Sequence, residues 1–138
     1  MVDDATAKYI VENQRCFENF KQVAAQLAGL LVLAAAGSKE ASPDHPTLVS
    51  ARELFCEADQ RLRGARPTER ARKHHAHVAK AAAMIGAALK EIDGAFNVDR
   101  ILIPLRSGYS ELEQAADALP GFEKISYEHA CCGRGRIQ

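Results

Sequence analysis

The chain has 138 residues, of which 47% are hydrophobic and 26% charged, and its 18 acidic side chains balance 18 lysines and arginines. That composition suits one self-supporting core and excludes a disordered chain; the zero net charge excludes a whole-molecule field that would draw it to nucleic acid or anionic membrane. The most apolar run, Val23 to Gly37, is free of charge but falls short of the roughly 20 residues that span a bilayer.

The first periodic segment covers about 5–36. Ile10, Phe17, Phe20, Ala24, Leu27, Leu31 and Ala34 follow helical spacing, with Tyr9, Cys16, Val23 and Leu30 repeating every seven beside them. Gly37 and the two prolines of ASPDHP end it. The second segment, about 46–63, opens on Pro46, whose missing N–H is harmless in a first turn, and stops at Gly64. The third, about 67–94, is expected to start at Pro67 and Glu69, with Ala71, His75, Val78, Ala82, Ile85, Leu89 and Ile92 facing inward. The fourth, about 98–119, has Asn97 as its N-cap, and Pro104 inside it predicts a kink or a later start.

No segment alternates with period two. The expected fold is all-α: an antiparallel up-down-up-down four-helix bundle over 1–121, followed by a short C-terminal extension or tail over 122–138. Small inward residues such as Ala51, Ala82 and Gly108 predict close helix axes and no large central cavity.

The stretch RKHHAHVAK holds three of the five histidines. On a helical wheel His75 falls on the inward line, His74 beside it, and His77 about 160° from His75, so the three do not converge. The expected state is a semi-buried His75 with His74 and His77 in solvent. Antiparallel pairing across the 64–67 turn would set His75 opposite Cys56 and His74 opposite Glu57. A metal set of His74, His75, His77, Cys56 and Glu57 is therefore the alternative to a structural role, with His129, Cys131 and Cys132 approaching if the tail folds back. No cofactor is expected.

His77 and Lys80 give an H-x-x-K spacing with Gly86 and Leu89 downstream. Over about a dozen residues this resembles histidine phosphotransfer domains, which implies His77 as phosphoacceptor and Lys80 as its counter-charge. The stretch departs from that pattern at Ala81, which stands where the family has a glycine, and at Gly86, one position early.

Arg61, Arg63, Arg66, Arg70, Arg72, Lys73 and Lys80 face one acid, Glu69, in this part of the chain. Arg63, Arg66, Arg70, Arg72 and Lys73 are the candidates for binding an anion or an acidic protein partner. Nucleic acid is disfavoured because no aromatic residues interleave with the cations.

Cys16 and Cys56 are expected to be core thiols, and the three tyrosines to hold their hydroxyls at the rim. No paired carboxylates, phosphate loop or Ser/His/Asp set supports catalysis. MVDDATAKY lacks the order of a secretory signal, so a cytoplasmic location is expected. Around Ala28 to Ala36 the first helix is apolar on more than one face, which predicts a homodimer through that patch. The functional expectation is a non-enzymatic interaction or regulatory bundle that touches no membrane.

Overall fold

Helices begin in this chain where a side chain takes up amide groups that the first turn leaves free. In the computed structural model, which describes residues 2–37, 42, 44–94 and 96–123, there are four helices and no strand among those residues. They are α1 (Asp4–Ala35), α2 (Pro46–Gly64), α3 (Arg72–Gly94) and α4 (Val98–Ala118). The Asp3 carboxylate accepts from the Thr6 amide at 2.8 Å to start α1, and Asn97 accepts from the Arg100 amide at 3.1 Å to start α4. His45 caps α2 through Nδ1, which accepts from the Thr47 amide, with Pro46 in the first turn.

The start of α3 departs from the sequence expectation. Residues 65–68 form no helix, and a turn closed by the Ala71 amide on both the Thr68 carbonyl and hydroxyl comes before Arg72. Thr68 therefore acts before the helix instead of inside its first turn. Pro104, by contrast, lies in the second turn of α4 without ending the helix or delaying its start. The bond it forgoes is the one to the Arg100 carbonyl, on an exposed residue that water can serve.

The core takes its bulk from α1, where Phe17, Phe20, Leu27 and Leu30 are buried, and is completed by Leu48 of α2, Ile85 and Ile92 of α3, and Ile101, Leu105 and Leu112 of α4. The α3–α4 and α1–α2 pairs pack most extensively. The first of these depends on small residues: a Cβ at Gly108 would stand 2.9 Å from Ile85 Cγ1 and 3.6 Å from the Ala81 carbonyl oxygen. Such proximity brings two helix backbones together where no larger residue fits.

Cross-contacts fix the neighbours. Cys16 Sγ donates to the Ala58 carbonyl at 3.3 Å, and the Phe20 and Phe55 rings meet edge to face at 5.9 Å. Arg52 pairs with Asp93, and Phe55 lies 3.1 Å from where a Gly86 Cβ would stand. After α4 the chain turns at Gly121, with φ +100 and Ile10 Cγ2 only 2.6 Å from its hypothetical Cβ. Both the positive φ and the contact demand glycine there. That turn delivers Phe122, first residue of the expected extension, into the core. Among the described residues, no helix is long and apolar enough to cross a membrane.

Candidate functional site

The buried seam of α3 starts from Ala71, just before the helix, and runs through His74, Val78, Ala81, Ile85, Ala88 and Ile92, all 3% exposed or less. A step of three precedes each step of four, so His74 takes the inward place expected for His75, which is half-buried. His74 is 1% exposed and enclosed by aromatic rings. Its Nδ1 is 3.0 Å from the Tyr9 hydroxyl, Phe122 stacks on it at 3.9 Å, and Phe17 leans toward it at 5.9 Å. Among the described residues, His74 Nε2 has no hydrogen-bond partner, nor has Nδ1 of His75.

Burial is the main cause that lowers the His74 pKa to about 4, with the charges of His75 and His77 adding to it. The same desolvation lowers His75 and raises the Tyr9 phenol. The imidazole is thus a neutral core group. This corrects the expectation of His74 in solvent, and equally that of Tyr9 at the rim, since Tyr9 is 4% exposed.

His77 is oriented differently, toward α4. Its Nδ1 lies 2.7 Å from Glu111 Oε1, both side chains being mostly covered. The ring lines a cleft of about 170 Å³ together with Lys73, Gln114 and Asp117. Lys80, paired with His77 by the sequence spacing, is exposed on α3 and does not line this cleft.

The five candidate metal ligands are not brought together. His74 faces Tyr9 and His77 faces Glu111, while Glu57 lies 3.5 Å from both Arg15 and Arg61. Cys56 is exposed, against its expected core place; Cys16 is buried, and burial raises its thiol to about 11. Among the described residues no group of three or more His, Cys, Asp or Glu could hold a metal ion. The misplacement has a clear origin. Because residues 65–71 form a connection and not helix, α3 slides along α2 by about three to four turns relative to a tight hairpin, which sets Phe55 beside Gly86 and Arg52 beside Asp93. His129, Cys131 and Cys132 lie outside the described residues.

The structure also sorts the cations at the α2–α3 connection. Arg63, Arg66, Arg70, Arg72 and Lys73 are all exposed. Arg63 pairs with Asp59 at 3.0 Å and Arg72 with Glu69 at 2.9 Å, both within one turn of chain. Arg70 lies in the field of Asp3. Arg66 turns into a cleft of about 600 Å³ with Lys8 and Arg61, whereas Lys73 serves the His77 cleft on another face. Arg63 lines a third cleft, of about 570 Å³ between α2 and α3, so the basic stretch is divided among three. Lys8 and Glu111 gave no signal in the sequence, for the other groups that share their clefts or bonds, Arg61 and Arg66 for Lys8 and His77 for Glu111, are far away along the chain.

Among the described residues, an apolar groove is open. It runs between the end of α1 and the start of α4, about 440 Å³ in volume, with Ala28, Val32, Ala35, Val98, Leu102 and Tyr109 on its walls. Val32 is 68% exposed, and Ile103 on α4 is 71% exposed. Comparison with protein-family models, curated proteins and solved structures finds no match.

Proposed function

We propose that the chain is a non-catalytic interaction module, an up-down-up-down four-helix bundle that pairs with a second copy of itself through the α1–α4 groove and offers its basic corner to an acidic protein partner. Residue numbers rise along one helix as they fall along the next at Cys16–Ala58 and Phe20–Phe55, and again at His77–Glu111 and Ile85–Gly108, which supports that topology. The groove carries the functional reading. It lies on the uncharged stretch from Val23 to Gly37, and Val32 reaches into solvent at its edge. Gly29, one turn back, has no atom within 4 Å of its Cβ position, so that face of α1 is open to another helix. Cytoplasmic surroundings, where Cys16 and Cys56 stay thiols, fit the same reading. Sedimentation equilibrium at micromolar concentration tests it. A species of twice 15.0 kDa is expected, and a single 15.0 kDa species at every concentration would refute the pairing.

A second reading is favoured by the His77–Glu111 pair. A carboxylate on Nδ1 fixes the ring and leaves Nε2 as the free nucleophile, with Lys73 in the same cleft to offset phosphoryl charge. In this reading His77 Nε2 attacks phosphorus of a phosphoramidate or acyl phosphate donor, a P–N bond forms as the donor's P–N or P–O bond breaks and its amine or carboxylate leaves, and Lys73 takes the place the sequence gave to Lys80. Labelling of wild type but not of His77→Gln supports it; no label on wild type removes it.

A further inference from the structure

We propose that the cleft between the start of α1, the end of α2 and the 65–68 connection is a binding site for a small phosphate-bearing molecule. This rests on reading the basic corner as anion-seeking, narrows it to Arg66, and adds Lys8 and Arg61. Three cations reach one concavity from three separate elements, and Glu12 is the one acid among the described residues that line it. Its volume of about 600 Å³ lies within the range of roughly 300–1,000 Å³ usual for small-molecule sites.

The cations are available. Arg66 has no ion pair among the described residues, and the pairs that Lys8 makes with Glu12 and Arg61 with Glu57 are long, at 3.9 and 3.5 Å, between side chains 39% exposed or more. Pairs of this kind hold their members weakly, so a dianion can displace them. The floor, by contrast, is fixed. Thr68 lines the cleft and its hydroxyl bonds at 2.8 Å to that of Thr6, which is fully buried. Asn13 Nδ2 donates to the Tyr9 carbonyl at 2.8 Å, and the Tyr9 hydroxyl is held by His74. A rigid polar floor under movable cations suits a tetrahedral dianion, which accepts hydrogen bonds from several directions and meets each arginine fork with paired oxygens.

Calorimetric titration with inorganic pyrophosphate at constant ionic strength tests the site, using the full chain, a Lys8→Gln/Arg66→Gln double variant and an Arg70→Glu/Lys73→Glu double variant. All four positions are exposed, and circular dichroism checks that each protein folds. Saturable binding to wild type, kept by Arg70→Glu/Lys73→Glu and weakened at least tenfold in Lys8→Gln/Arg66→Gln, is the expected pattern. Equal loss in both variants would overturn the cleft in favour of a diffuse basic surface, leaving an acidic protein partner possible at that surface. Heat no different from a sodium chloride control, or binding untouched by Lys8→Gln/Arg66→Gln, would overturn it outright.

Discussion

The Tyr9 hydroxyl and the His74 imidazole, 65 residues apart in sequence, meet at 3.0 Å where neither side chain is more than 4% exposed. This bond ties the first turns of α1 to the first turn of α3 and gives two buried polar groups their only described partner. Tyr9→Phe keeps the ring and removes the hydroxyl, leaving both imidazole nitrogens without a partner among the described residues. A loss of about 1–3 kcal/mol in urea unfolding is expected. Unchanged stability would mean that the bond contributes nothing net.

The same histidine makes the fold acid-sensitive. Its pKa is lowered from 6.5 to about 4, chiefly by burial, so the unfolded chain takes up the proton first as pH falls. The stabilising contribution is complete above about pH 6.5 and drains away as pH falls toward 4. A gap of that size corresponds to about 3 kcal/mol. His75 shifts in the same direction and adds to the slope. Between pH 7 and pH 4 wild type should lose about 3 kcal/mol more than His74→Phe, because the carboxylates titrate alike in both. Parallel stability curves would contradict a neutral, buried imidazole.

Phe122 caps this cage, stacked 3.9 Å from His74. Phe122→Ala should cost about 3 kcal/mol at neutral pH, within the range for large-to-small changes in a core. It should also admit water to the imidazole, so the His74 pKa measured by NMR should rise toward 6.5. A variant as stable as wild type, with the histidine shift intact, would place Phe122 outside the core.

Two glycines in helices should respond with opposite signs. A Cβ at Gly108 meets Ile85 at 2.9 Å, whereas Gly29 has open space around its Cβ position. Alanine gains about 1 kcal/mol over glycine within a helix. At Gly29 that gain should appear as a higher melting temperature. At Gly108 the clash should outweigh it, giving a net loss of about 1–2 kcal/mol. Equal effects at both sites would deny the close α3–α4 approach.

Much of this was legible because the helical rhythm is strong where the residues are large. Phe17, Phe20, Leu27, Ile101, Leu105 and Leu112 are buried as their spacing predicts, and Asn97 caps α4. In α3 the pattern was ambiguous. Ala71, Val78, Ile85 and Ile92 fit a heptad whichever way the intermediate position falls, and the large Leu89 drew the line through His75 and Ala82. The structure buries His74, Ala81 and Ala88 more completely, His74 among Tyr9, Phe17 and Phe122, and Ala81 where Gly108 of α4 comes close. The small residues predicted close helix axes, but hydrophobicity ranks alanine low, so which of two adjacent positions faces inward was hard to see. The Pro67-Thr68-Glu69 signal also admits two outcomes, a helix start or a capped turn before one, and the choice decides the register against α2. Partners such as Tyr9 for His74 and Glu111 for His77 are purely tertiary.

The proposed pairing through the apolar groove between α1 and α4 is tested most directly by multi-angle light scattering of wild type beside Val32→Glu, from low to high micromolar concentration. Val32 is 68% exposed in the single chain, so glutamate there should leave folding within about 0.5 kcal/mol of wild type. Wild type should reach twice 15.0 kDa as concentration rises, while Val32→Glu stays at 15.0 kDa with an unchanged helical spectrum. Identical masses for the two proteins at every concentration would contradict pairing through this groove.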